Sequence, residues 1–466
     1  MATESPTAPR GGLRLHALVA TAVGVVVVQS TMISMLNGAG LGALNYLVAI
    51  GLAALLAASY VLSFAELSLM LPRAGSVSAY TQAAIGPGPA IIAALSGYVA
   101  VAMLGIPAEL ILVDALAAQL APGLSNAVGQ PSLLLLAAFC LLNLRGIDAF
   151  ARLQSVLVTV MFVGILVIGL SGALSGNVGA VVAAQPFEPA AALSLVALAI
   201  WGLVGLEFVC PMIGEAHDPK RDVPRAMFIG LVLIVAAYGL YCVAGLAMLG
   251  PEALGSATPH VELALAIFGE PARIGFALLA ILGSATLLNT VLASVSRMVQ
   301  GMAQSGQLPA LFARENRAGA PAPALVALAL GIGAVRVPLG MDAGSILSLT
   351  VAAAGCWLIA YIIVHVDHIV LRHRLPDTPR PFRSPWFPLP QLLGIVGMAY
   401  VFLNISPTPE LAGPIYRNVA WMLGITCAFA LFWTLAVQRR NPFRALPLEE
   451  AAPVVASPIA AASATE

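Results

Sequence analysis

The sequence predicts an all-α membrane protein of about twelve transmembrane helices, and three observations carry that expectation: its composition, the recurrence of long apolar runs, and the placement of its basic residues. Of 466 residues, 60% are hydrophobic and 9% charged, with a mean hydropathy of +0.97. Soluble domains carry roughly 25% charged residues, so this chain lacks the polar surface to cover a water-facing globule. Apolar runs long enough to cross a hydrocarbon core of about 30 Å recur from one end to the other.

Pro, Gly and charged residues punctuate these runs and set the expected helices in order, at 16–36, 43–71, 91–120, 131–147, 151–173, 191–214, 226–249, 272–303, 322–338, 344–371, 387–404 and 417–438. Residues 1–15 read as a cytoplasmic N-terminal segment carrying Arg10 and Arg14. The run after it has no convincing small-residue cleavage site, so the first helix is expected to be retained. The connection at 250–271, with Pro251, His260, Glu262 and Glu270, is long enough to hold a short surface helix. Residues 16–438 form the expected membrane domain, and 439–466, rich in Ala, Pro and Ser, is expected to be a disordered cytoplasmic tail.

Lys and Arg accumulate on cytoplasmic loops. With both termini inside and twelve crossings, all of the 21 basic residues except Arg273, Arg336 and Arg417 fall on the cytoplasmic side. The net charge of zero contains no basic tract of the kind that binds nucleic acid. The five cysteines lie inside apolar runs without CxxC spacing and read as packing residues. The expected environment is the lipid bilayer of the inner membrane, and the sequence does not set an oligomeric state.

Four motifs narrow the reading. Glu66-Leu-Ser-Leu-Met-Leu-Pro-Arg-Ala-Gly-Ser76 closes the second run, with Ala79-Tyr80 just beyond. Trp201 to Pro211 and then Gly214 to Ala226 close the sixth, and Ser296-Arg297 with Ala303 to Pro309 closes the eighth. Arg380-Pro-Phe-Arg383 precedes the eleventh. In that order and on the expected cytoplasmic side, they resemble the signatures of the amino acid-polyamine-organocation superfamily of permeases. The resemblance implies ten core helices in two inverted five-helix repeats, spans 1–5 and 6–10, with two peripheral helices and with helices 1 and 6 broken at mid-membrane. It implies secondary active transport of amino acids by alternating access, as symport or exchange. A polyamine or organocation carrier, and a membrane sensor with a permease fold, are the alternatives. No enzyme chemistry is expected, since no GK[ST] phosphate loop and no hydrolase or metal constellation lies at one membrane depth.

The resemblance also places the substrate between the two helix breaks, where N–H groups at a helix N-terminus favour an anion and carbonyls at a C-terminus a cation. The glycine-rich first break of many relatives is replaced here by Gln29-Ser30-Thr31, whose side chains become candidate substrate ligands. At the sixth break, Trp201, Gly202, Leu203, Gly205 and Glu207 are the candidates, with Trp201 as an aromatic gate. A carboxylate inside a span costs roughly 2.5–3.5 kcal/mol on insertion scales and by default marks a substrate partner or an ion path. Glu207 matches a Glu found in relatives that exchange arginine or putrescine, and reads as counter-charge to a small amine-bearing substrate or as a proton carrier.

Glu109 is a second candidate for proton coupling; Asp114, five residues on, points about 140° away on a helix and reads as solvated. No cofactor is expected beyond a coupling proton or sodium ion. Ser294 and Ser296 are candidate sodium ligands, and the fifth-helix Lys that replaces the cation in some relatives falls here near Met161. His365, Asp367 and His368 do not read as a metal site, and Glu215 with the charged turn after it reads as a latch or a solvated loop.

Overall fold

The computed structural model describes residues 12–177, 179, 186–256, 258–339, 343–406 and 409–451. These residues fold into helices and connecting turns, with one isolated β-bridge, between Leu13 and Ala216. Each apolar run predicted from sequence carries a helix. Eight are long and apolar enough to cross a membrane, and ten are if two bent pairs each count as one crossing. The helices are numbered here by the run they occupy. The first is a bent pair, Leu15–Gly24 and Gln29–Gly42, turned by 60°. The second is Leu44–Met70, the third Pro87–Leu120, the fifth Ile147–Ser175, the sixth Pro189–Glu215, the seventh Pro219–Met248 and the eighth Ala272–Gln304. The tenth is Ala343–Arg374 and the twelfth Pro409–Val437. The fourth, Pro131–Asn143, is bent by 80° against Pro122–Val128. The ninth, Ala322–Arg336, and the eleventh, Leu389–Leu403, have 15 residues each, short of the roughly 20 that a perpendicular helix needs to cross.

The helices sort into centre and periphery. In the eighth helix 72% of the apolar stretch is buried, in the twelfth 28%. The twelfth turns Trp421 and Ile425 outward and the eleventh Leu389, Leu393 and Val396, exposing large apolar side chains that suit a lipid environment. The centre is instead built from fully buried tyrosines, Tyr60, Tyr98, Tyr238, Tyr241 and Tyr361 among them, and from buried polar residues. Small residues let backbones approach closely: a Cβ on Gly301 would overlap the backbone at Gly75.

Three expectations change. The helix of the 250–271 connection, Pro259–Phe268, is not a surface feature on both faces, since it buries His260, Val261, Leu263 and Ala264. Asp114 is not solvated: it is 8% exposed, pairs with Arg336 Nη2 at 2.5 Å and accepts from the Ser132 amide and hydroxyl, each at 2.7 Å. A carboxylate next to an Arg that faces it from the ninth helix is neutralised in place, which the local sequence around Asp114 does not reveal. Part of the tail is ordered against the body, with Gly88 N–H donating to the Pro442 carbonyl and Leu446 N–H to the Gln82 carbonyl. Residues 452–466 lie outside the described residues.

The motif residues meet across long separations. Glu66 binds Arg372 through two hydrogen bonds of 2.7 and 2.6 Å and accepts the Ser384 amide at 2.7 Å. His368 and Arg380 stand 3.1 Å from the same carboxylate. Glu215 pairs twice with Arg297, at 2.8 and 3.1 Å, joining the end of the sixth helix to the eighth. Glu215 itself is therefore tied in rather than free in solvent, while His217, Lys220 and Arg221 beyond it are exposed, and the Leu13 amide donates to the Glu215 carbonyl at 2.7 Å.

Candidate functional site

Two interrupted helices face each other at the centre. In the first, residues 25–28 leave helical geometry, and Gln29-Ser30-Thr31, expected to be the break, form the opening turn of its second half. In the sixth, α-helix gives way to a short 3-10 turn at Trp201–Leu203, then to extended Val204 and to Gly205 with φ +112°. Gly205 is required there, because that φ is costly for any residue with a Cβ. A Cβ would also run into Val25 of the other break. Close to it, Gly202 lets Met35 and Thr31 of the first helix pack directly against its backbone.

Breaking a helix inside a protein frees N–H and C=O groups that must be satisfied by other helices, and here side chains do so. At the first break the Val26 carbonyl accepts from Tyr238 Oη at 2.8 Å and the Gly24 carbonyl from Thr286 Oγ1 at 2.9 Å. The Gln29 amide donates to Glu109 Oε1 at 3.1 Å, and Ser284 Oγ donates to the same oxygen at 2.7 Å. The Ser30 amide and hydroxyl also face that carboxylate, and Thr31 faces Tyr238. At the sixth break Tyr60 Oη donates to the Leu203 carbonyl at 2.7 Å, and the Gly205 amide donates to Tyr361 Oη at 3.2 Å. Those two tyrosines stack at 4.4 Å between ring centroids.

Glu207 sits in the first turn after the sixth break and is 1% exposed. Its Oε1 accepts from Tyr98 Oη at 3.2 Å and from Trp357 Nε1 at 3.1 Å. Its Oε2 has no hydrogen-bond partner among the described residues, and the Tyr361 hydroxyl also faces the carboxylate. Tyr98, Phe208 and Trp357 surround it as three mutually touching rings, with centroids 5.6–6.3 Å apart. Tyr98 and Trp357 turn their polar edges to the carboxylate, and a buried carboxylate held in this way suits a cation.

The structure thus brings together Gln29, Ser30, Thr31, Gly202, Leu203, Gly205, Glu207 and Glu109 around the two breaks. Trp201 is half-buried in the turn before the sixth break, while the ring on Glu207 is Trp357. Ser294 donates to the Phe208 carbonyl at 2.7 Å and Ser296 back to the Ala293 carbonyl of its own helix at 3.2 Å. The fifth-helix residue that reaches the first break is Gln154, a turn or two before Met161. Its Nε2 lies 3.4, 3.3 and 2.8 Å from the Ala20 carbonyl, the Thr286 carbonyl and Thr290 Oγ1. Asn289 donates to Gln154 Oε1, and Asn143 to Asn289 Oδ1, each at 2.8 Å. His365 contacts Ser63 at 3.0 Å and Asp367 accepts from Thr81 at 2.6 Å, and no three potential metal ligands cluster among the described residues.

Two broken helices crossing at a buried polar centre match an established architecture, and the sequence model described as "Amino acid permease" covers residues 13–431. The chain belongs to that family. As a permease of the amino acid-polyamine-organocation superfamily it is a multi-pass membrane transporter of amino acids or organocations, not an enzyme. It is 26% identical to the branched-chain amino acid permease BcaP of Lactococcus lactis, over 88% of this chain and 92% of that one. It is 25% identical to a probable agmatine/putrescine antiporter, AguD, of Lactococcus lactis, over 46% of this chain and 49% of that one. In fold the permease is similar to Mhp1, a nucleobase-cation-symport-1 family transporter, with a TM-score of 0.55 and 17% identity over 90% of this chain and 96% of the other.

Proposed function

We propose that this permease is a secondary active transporter of the cytoplasmic membrane that moves an amine-bearing substrate, an amino acid or a closely related amine, by alternating access. Twelve crossings, with both termini in the cytoplasm, accord with the distribution of Lys and Arg. The substrate's ammonium group lies between the two breaks against Glu207, with the Gln29–Thr31 turn and the backbone of Gly202, Leu203 and Gly205 around it and Trp201 over it. The observation that supports this reading is the buried Glu207 carboxylate, whose Oε2 makes no hydrogen bond among the described residues, in a pocket of Tyr98, Trp357 and Tyr361. An unpaired buried acceptor is costly, and an incoming ammonium removes that cost.

Coupling follows from the second polar centre. A neutral amide, Gln154, donates to the carbonyl and hydroxyl oxygens near the first break that a cation would otherwise take. These features favour exchange, or coupling through Glu207 or Glu109, over sodium symport.

The test is uptake and counterflow in proteoliposomes against a panel of amino acids and amines, with wild type and Glu207→Gln. The reading expects accumulation or exchange of at least one compound, lost in the variant. Saturable binding with neither uptake nor exchange would assign the chain as a sensor and sink the transport reading.

A further inference from the structure

We infer that the substrate of this permease is a small organic amine that carries no carboxylate, because the protein's own Glu109 occupies the seat that a substrate carboxylate would take. The inference rests on the transport reading above and narrows its substrate class.

The N-terminus of a half-helix inside the membrane is the strongest anion site available there, since its free N–H groups and its dipole both favour negative charge. The second half of the first helix begins in this way at Gln29, at the centre of the molecule and beside the sixth break. In this chain the position is filled. Glu109 is 3% exposed, reaches across from the third helix, and takes the Gln29 amide and the Ser284 hydroxyl on one oxygen, with the Ser30 amide and hydroxyl facing it. An anionic ligand would have to displace a covalently tethered carboxylate from every one of these donors.

A second observation points the same way. Among the described residues, the buried polar atoms left without partners at the two breaks include Glu207 Oε2 and Gln29 Oε1, both acceptors. His260 Nδ1, beside Gln29, can act as donor or acceptor according to its tautomer. The side chains at the breaks therefore offer acceptors and negative charge to a ligand, while the Gln29 and Ser30 amides that would hold a carboxylate are taken by Glu109. An ammonium group supplies three donors and one positive charge, which is what these atoms lack. An α-amino acid would bring a second carboxylate close to Glu109, and two like charges in a site shielded from water repel strongly.

The experiment compares matched pairs that differ by one carboxylate: putrescine with ornithine, cadaverine with lysine, and isobutylamine with valine. Exchange in proteoliposomes and thermal stabilisation of the purified protein are read for each. The inference expects at least one amine to exceed its amino acid tenfold or more in apparent affinity. Glu109→Ala, which empties the seat, is expected to narrow or reverse that preference for the same pair, whereas Glu109→Asp keeps it. Glu109→Gln, close in shape to the native side chain, shows a smaller shift in the same direction and serves if the alanine variant does not fold. Amino acids that match or exceed their amines in the wild type would overturn the inference and leave the transport reading standing. Failure of every pair to bind or exchange would overturn both. A preference for amines that persists in Glu109→Ala and Glu109→Gln alike would show that Glu109 is not what excludes the carboxylate.

Discussion

The two helix breaks are built to the same plan and finished differently. Each places a buried carboxylate at the start of a half-helix, Glu109 at the first and Glu207 at the sixth, and each has its freed backbone groups met by side chains from other helices. At the first break the carboxylate is bound to the helix end it faces. At the sixth it is held by one oxygen, through Tyr98 and Trp357, while the other stays open. On the proposed reading, one carboxylate completes the structure and the other receives the ligand. Burial and residue type are the same in both cases, so what separates them is the kind of donor each group meets, helix-end amides and serines at Glu109 and the phenol and indole edges of aromatic rings at Glu207.

Removing each acid in turn tests that contrast most severely. Glu207→Gln is expected to reduce substrate exchange about 100-fold, since hydrogen bonds to charged groups contribute roughly 1.5–3 kcal/mol. Its thermal stability should stay close to that of the wild type, measured by heating the purified protein. Removing the other acid should do the reverse. Glu109→Ala leaves the Gln29 amide and the Ser284 hydroxyl buried without their acceptor and is expected to cost about 2–6 kcal/mol of stability, at about 1–3 kcal/mol per stranded group. If both variants lose stability equally and neither loses transport selectively, the division of roles fails.

Smaller effects sharpen the picture around the sixth break. Gly205→Ala, which forces a Cβ onto φ +112° and toward Val25, is expected to cost about 1–3 kcal/mol and to slow exchange by an order of magnitude. Tyr60→Phe removes the donor to the Leu203 carbonyl and should cost about 1–2 kcal/mol with a severalfold loss of exchange. Replacing sodium by a large organic cation is expected to change uptake by less than about twofold. A larger drop would mean that the Gln154 centre opens to admit the ion.

Much of this architecture is legible in the sequence. Long apolar runs dictate the helices directly, and Glu207 stands out because a carboxylate in such a run has so few explanations. What the sequence does not reveal comes from contacts between distant segments. Glu109 and Asp114 look alike as isolated acids, yet one caps the first helix and the other pairs with Arg336, residues 80 and 222 positions away. Trp357, rather than Trp201, reaches Glu207 because the tenth helix packs beside the sixth break, and an apolar run does not announce its neighbours. Gln154 was also missed, since one amide in a long amphipathic run carries no local signal. Its reach to Ala20 and Thr286 on two other helices, which only the packing reveals, is what marks it. The first break was displaced by about a turn for a related reason. Val25 to Val28 are apolar, and Gln29-Ser30-Thr31 stands where relatives carry their glycine-rich break when counted back from Glu66, so the expectation falls just after the interruption.

A carrier that works by tilting some helices needs others that hold still. Glu66 joins the second helix to Arg372 of the tenth and to Ser384 and Arg380 of the segment beyond it, all through one carboxylate. These elements cannot slide past one another without stripping a buried charge of its donors, so they behave as a single strut. The two breaks are tied instead by hydrogen bonds to single backbone groups, Thr286 to Gly24 and Tyr60 to Leu203 among them, and under the proposed mechanism it is against this strut that they hinge.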